Sequence, residues 1–185
     1  MRIWMAAGLL LAACGSTPKE NFYTLSPPPG ALPAASASAV SVYVGPVSVP
    51  ESVDRTPMVL RTGASQVEID DLHRWVEPLK TGIPRALAEM LMRELGTPRV
   101  LAGRGAAGPT PDFRVAIDVQ RFESSLAEGA TLDAAWTITP AKGTPRSGRT
   151  LAQEALPSRD HAGIAAAHRR ALERLAKDLA AAIRS

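Results

Sequence analysis

Val40, Val42 and Val44 alternate with polar residues, the pattern of a half-buried strand. After Gly45-Pro46 the apolar phase moves by one residue, to Val47 and Val49, which predicts a bulge or bend in a long strand. Met58 to Arg61 and Gln66 to Ile69 flank Thr62-Gly63-Ala64-Ser65 and read as a hairpin. A 3.6-residue period then links Leu79, Ile83, Ala86, Leu87, Met90, Leu91 and Leu95. Pro78 suits the first helical position and Gly96 the residue past the end, while Pro84 falls inside and predicts a kink or a delayed start. Arg99 to Ala102 reads as a short strand and Gly103 to Pro111 as a loop. Phe113, Val115, Ile117 and Val119 share one face of the next segment, Leu132, Ala134, Trp136 and Ile138 that of the one after. Thr150 to Leu156 is a weaker third strand, and the three predict an antiparallel meander with a tight turn at Glu128-Gly129. Ser158 is the expected N-cap of a last helix running to about Ile183, with Ile164, Leu172, Leu175, Leu179 and Ile183 as its buried stripe. The order β-β-β-α-β-β-β-β-α predicts one α+β domain, a mainly antiparallel or mixed sheet with both helices on one face.

The N-terminus follows different rules. Ile3 to Ala13 is apolar but covers about 11 residues, against the roughly 20 that a membrane span needs. With Arg2 ahead and Leu11-Ala12-Ala13-Cys14 behind, residues 1–13 read as a signal peptide ending in a lipobox. Cys14 is then the first mature residue and carries the lipid, and an anchor of more than one acyl chain is stable. Phe22-Tyr23-Thr24-Leu25 is a short apolar patch expected to form an edge strand, a natural pairing surface. Ser26 to Ala39 is rich in Pro, Ala and Ser and reads as a tether able to hold the domain up to roughly 40 Å from the lipid. The expected division is a signal at 1–13, an acylated cysteine and tether at 14–39, and a domain at 40–185.

Composition narrows the function by exclusion. Removing the 13-residue signal from 185 leaves 172, and loss of Arg2 leaves a net charge of +2. No basic stripe is interleaved with aromatics, so nucleic acid is not an expected partner. Cys14 is the only cysteine, and once acylated it leaves no thiol for disulfide or metal chemistry. Glu68, Asp70, Asp71 and His73 cluster near a strand end, where charged residues are normally solvated, and no metal is expected there. His161 falls in a first helical turn and is expected exposed; His168 lies on the apolar stripe and is expected packed. Asp118 and Asp133 could face each other across strands but are expected to point to solvent. There is no G-x-S-x-G elbow, P-loop or G-x-G-x-x-G, and the glycines at 103–108 lack the strand and lysine of a phosphate loop. The sequence therefore predicts neither an enzyme nor a cofactor. In Asp71 to Leu79, Trp75 is expected to plug the sheet–helix seam and Glu77 to face the positive end of a helix. Arg74 and Trp75 are also candidate partner contacts, together with Phe22, Tyr23 and Leu25.

These residues carry a resemblance. Cys14 followed by Phe22-Tyr23-Thr24-Leu25, the strand Val44 to Glu51, Asp54-Arg55 leading to Met58-Val59, and above all His73-Arg74-Trp75-Val76-Glu77-Pro78-Leu79 resemble the ABC-type transport auxiliary lipoproteins, specifically the paraquat-inducible protein C group. Val115 to Phe122 resembles a further strand of that family. The chain departs from it in having Thr56 before Pro57, where a proline usually follows Asp-Arg directly, and in Pro84. The resemblance implies a periplasm-facing outer-membrane lipoprotein of an intermembrane transport system for lipid or hydrophobic compounds. It also implies an MCE-domain partner, inner-membrane transport components and a homo-oligomer. Gly15 after the cysteine fits outer-membrane sorting. The leading expectation is a tethered adaptor; the alternative, a lipid-binding carrier, predicts an apolar cavity between helices and sheet.

Overall fold

The structure, a computed structural model, describes residues 18–31, 40–103 and 110–185. Cys14, the signal peptide and most of the glycine-rich loop lie outside the described residues. The strands are β1 (Asn21–Tyr23), β2 (Val42–Ser48), β3 (Pro57–Gly63), β4 (Gln66–Trp75), β5 (Val100–Ala102), β6 (Phe113–Ser125), β7 (Gly129–Pro140) and β8 (Arg146–Glu154); the helices are α1 (Leu79–Leu95) and α2 (His161–Arg184). This is the α+β order that the periodicities predict. The sheet runs β1-β4-β3-β6-β2-β5, with β7 and β8 continuing from β6, and curls into a half-barrel.

The meander β6-β7-β8 is antiparallel throughout. β3 and β4 form the expected antiparallel hairpin, and the remaining pairings are not local: β2 runs parallel to β6 and β5, β3 to β6, and β1 to β4. The phase shift at Gly45-Pro46 appears as an irregularity between Val44 and Val47 in the β2–β6 register. Both helices cover one face, side by side. The alternating residues of β6 and β7 (Val115, Ile117, Val119, Leu132, Ala134, Ile138) meet the predicted stripe of α2, all buried. Pro84 is accommodated within α1, buried, and Gly96 takes the left-handed conformation that ends the helix.

Two expectations are corrected. The N-cap of α2 is Asp160, not Ser158: Asp160 accepts a hydrogen bond from Gly163 N–H at 2.7 Å, and Ser158 Oγ instead donates to Asp160 at 2.8 Å. An Asp160→Ala change should cost about 1 kcal/mol, read as a lower urea midpoint with an unchanged slope. The second concerns residues 14–39, of which 14–17 and 32–39 lie outside the described residues. The expected edge strand belongs to the domain: β1 is hydrogen-bonded to β4, and Leu25 is buried in the core. Beyond it, Ser26 Oγ donates to Glu89 and Pro28 C=O accepts from Arg93 at 2.7 Å, so the start of the Pro-rich run lies along α1. A proline-rich composition signals extended backbone; it does not say whether that backbone stands free or lies on a surface.

Candidate functional site

Three of the segments that carry the resemblance, residues 22–25, 54–59 and 73–79, are far apart in sequence and meet at one corner. The loop after β2 supplies Asp54, whose carboxylate accepts from Lys80 N–H at 2.9 Å and so satisfies an open donor at the start of α1. Two residues on, Thr56 C=O accepts from Trp75 N–H at 2.7 Å and Thr56 Oγ1 from Arg74 at 3.0 Å. Val76 N–H donates to Tyr23 C=O at 2.9 Å, which extends the β1–β4 pairing past its last residue. Glu77 pairs with Arg85 of α1 at 3.1 Å. This corner thus ties the N-terminal strand, the 54–56 turn, the end of β4 and the start of α1 together. It holds backbone in place and offers no nucleophile.

The five contact candidates divide. Phe22 is 58% exposed, and Tyr23 and Arg74 are half-buried, Arg74 with Glu20 at 3.8 Å. Leu25 and Trp75 are buried and present no surface to a partner. Trp75 meets Phe122 and His168 edge-on, and those two rings stack at 3.8 Å. His168 is fully buried, and its Nε2 is hydrogen-bonded to Ser124 Oγ at 2.8 Å. Burial drives its pKa down to about 3. A base that weak cannot take the serine proton near neutral pH, and Nδ1 has no orienting partner. The pair is a packing element of the core.

The sequence did not bring His161 to Asp70. It is half-buried, not exposed, and its ring stacks on His73 at 3.6 Å with 7° between planes, while the Tyr23 ring lies 5.9 Å from that of His73. Asp70 Oδ1 accepts from the N–H groups of Leu72 and His73, which leaves Oδ2 3.0 Å from both His73 Nδ1 and His161 Nε2. The contact to His161 is close but not aligned as a hydrogen bond. Burial, then the neighbouring His73, pushes the His161 pKa down. Burial works to raise that of Asp70, yet the Leu72 N–H and the two imidazoles hold it below the usual carboxylate range. Burial, with Asp160 and Asp70 nearby, raises that of Tyr23. Asp70, His73 and His161 could in composition hold a metal, their ligand atoms lying within 4.8 Å of one another. Stacked rings, however, aim their lone pairs along parallel planes, and one ion cannot sit in both; chelation by all three requires a ring to turn out of the stack.

Asp118 and Asp133 do not face each other. Asp118 pairs in register with Ala135, and Asp133 with Arg121. Asp133 is buried, not solvated: Arg149 donates to both its oxygens, at 2.7 and 2.6 Å, and holds its carboxyl below the usual range. Glu68 and Asp71 are exposed. No helix among the described residues is long and apolar enough to cross a membrane.

The fold is shared with solved structures. An uncharacterized protein is 15% identical, with 89% of this chain and 99% of that one covered and a TM-score of 0.68. A Xanthomonas campestris protein of the DUF330 family is 19% identical, with 86% and 92% covered and a TM-score of 0.61. At these identities the likeness concerns the fold alone. The PelC dodecamer from Paraburkholderia phytofirmans, 13% identical over 80% of this chain and 92% of that one, overlaps at a TM-score of 0.41, too loosely to bear on it. No curated protein matches the sequence. The family model described as ABC-type transport auxiliary lipoprotein component matches residues 23–180, from the end of β1 to the last turns of α2, and the chain belongs to that family.

Proposed function

We propose that this auxiliary lipoprotein is held at the outer membrane by acyl chains on Cys14 and acts as an adaptor of an MCE/Pqi-type intermembrane transport system. On this reading it faces the periplasm and works by contact with an MCE-domain protein and with further copies of itself. The observation that carries the proposal is the corner that locks β1 to β4: the strand nearest the lipobox is built into the sheet, so a lipid on Cys14 fixes the position of the whole domain. Buried side chains fill the seam under α2, while a cleft of about 720 Å3 between the start of α1 and β2, bordered by Lys80, Pro84, Arg85, Val44 and Arg114, is the place a carrier would use.

Replacing Cys14 by Ser tests the proposal. The variant is expected to fold, to leave the membrane fraction and to fail to support transport. Full transport by the released protein would end the anchoring argument. Copurification of the wild-type chain with an MCE-domain protein supports the adaptor, and a monomer carrying bound phospholipid in its place supports the carrier.

A further inference from the structure

The face of the sheet turned away from the helices is not uniformly polar. Across β3 and β4, Val59 pairs with Ile69 and Arg61 with Val67. These side chains alternate with the buried Met58 and Leu60 and so occupy the opposite face. Val67 is 57% and Ile69 47% exposed, an unusual amount for two neighbouring β-branched residues on one strand. The loop after β2 brings Val53 and Arg55 beside them, and β6 brings Arg121 and Glu123; together they border a cleft of about 320 Å3.

The charge around this apolar floor is one-sided. Of the charged groups that border it, three are guanidiniums and one is a carboxylate, Glu123, which Arg61 already holds at 2.7 Å; Asp133, opposite Arg121 in register, is taken up by Arg149. Both Arg55 Nε and Arg61 Nε are buried without a hydrogen-bond partner. A buried donor on a cation left unpaired is costly, and an anion supplies what it lacks. The backbone, by contrast, has nothing to offer. The edge of β4 over residues 66–72, beyond the pairing of β1 with residues 73–75, is open but points aside from the cleft. Ladder groups lie in the plane of the sheet, so a peptide laid across this face reaches none of them. An alkyl chain needs none. The volume sits at the small end of ligand pockets, which suits one chain better than two.

We propose that this cleft binds a single-chain anionic amphiphile, its alkyl part on Val53, Val59, Val67 and Ile69 and its oxyanion head on Arg55 and Arg121. The site lies on the face opposite the helices and does not depend on the adaptor reading.

The test uses the full acylated chain in lipid nanodiscs and a dodecanoate carrying a photoreactive diazirine, with the adducts mapped by mass spectrometry. Labelling is expected to concentrate on residues 53–69 and 120–124. Unlabelled dodecanoate should compete, whereas dodecyltrimethylammonium, of equal chain length and opposite charge, should not. Arg121→Glu and Ile69→Asp change exposed positions, and each should reduce labelling by about tenfold. Labelling spread evenly over the surface, equal competition by the cation, or wild-type labelling of both variants would overturn the proposal. So would displacement of the probe by an acidic peptide at lower concentration than by dodecanoate, since it would make the occupant a protein segment.

Discussion

Between about pH 6.5 and about pH 4.5 the protein is expected to lose on the order of 2 kcal/mol of folding stability through one side chain, His168. Its folded-state pKa, about 3, lies below the unfolded value of about 6.5. Below pH 6.5 the unfolded chain therefore takes up a proton that the folded chain refuses. The stability contribution is whole above that pH, falls by about 1.4 kcal/mol per pH unit, and is exhausted near pH 3. His161, with its pKa also lowered, acts in the same direction. The Asp70, Asp112, Asp133 and Asp160 carboxyls, all held below their ordinary values, add their own loss only as the pH falls through the carboxylate range. Urea unfolding at both pH values gives the number. A His168→Gln variant, which keeps a hydrogen-bonding group but does not titrate, should be less stable than wild type at pH 7.5 and should show a flatter decline. A variant that declines as steeply as wild type would remove His168 as the cause.

The second large effect is steric. A Cβ placed on Gly163 would stand 1.8 Å from Ser158 C=O, a backbone atom that cannot swing aside as a side-chain tip can. That carbonyl is itself fixed, since it accepts from Asp160 N–H at 2.9 Å, and Asp160 caps the helix through Gly163 N–H. Gly163→Ala must therefore open the loop, lose the cap, or both. It is expected to cost about 2–4 kcal/mol and to lower the melting temperature by several degrees. Because His161 lies two residues away, the same change should pull its ring off His73, visible as a shift of both imidazole resonances. Melting at the wild-type temperature would show that the loop yields more easily than its hydrogen bonds imply.

What could be read from the sequence, and what could not, follows from the range of each interaction. The β6–β8 meander, the stripe of α2 and the slip at Gly45-Pro46 are recorded in residues close together, where period and turn chemistry speak directly. The parallel pairing of β1 with β4 is not, because nothing local in Asn21–Tyr23 names its partner. The same limit hid the meeting of His161 with Asp70 and His73. A histidine in a first helical turn looks solvated until the strand that arrives beside it is known. Ser158 was read as the cap from a short polar run, and only the folded backbone, extended at Asp160 and with Gly163 N–H on its carboxylate, puts the cap two residues later. The Arg-Trp-x-Glu-Pro-Leu segment was visible as a motif, but its partners at Thr56 and Tyr23 appear only once the corner is folded.

Locking β1 into the sheet has a mechanical consequence. If Cys14 bears the lipid, seven peptide steps separate it from Asn21, so β1 stays within about 25 Å of the attachment point, well short of the reach that an extended Pro-rich segment would allow. β1 and β4 are parallel, so a pull on the N-terminus along the strand axis loads their hydrogen bonds in shear, together. It does not peel them apart one at a time. With a lipid on Cys14 the N-terminus would be a short mooring: force from the membrane would enter the sheet through the whole β1–β4 pairing and reach the start of α1 through Tyr23 and Val76.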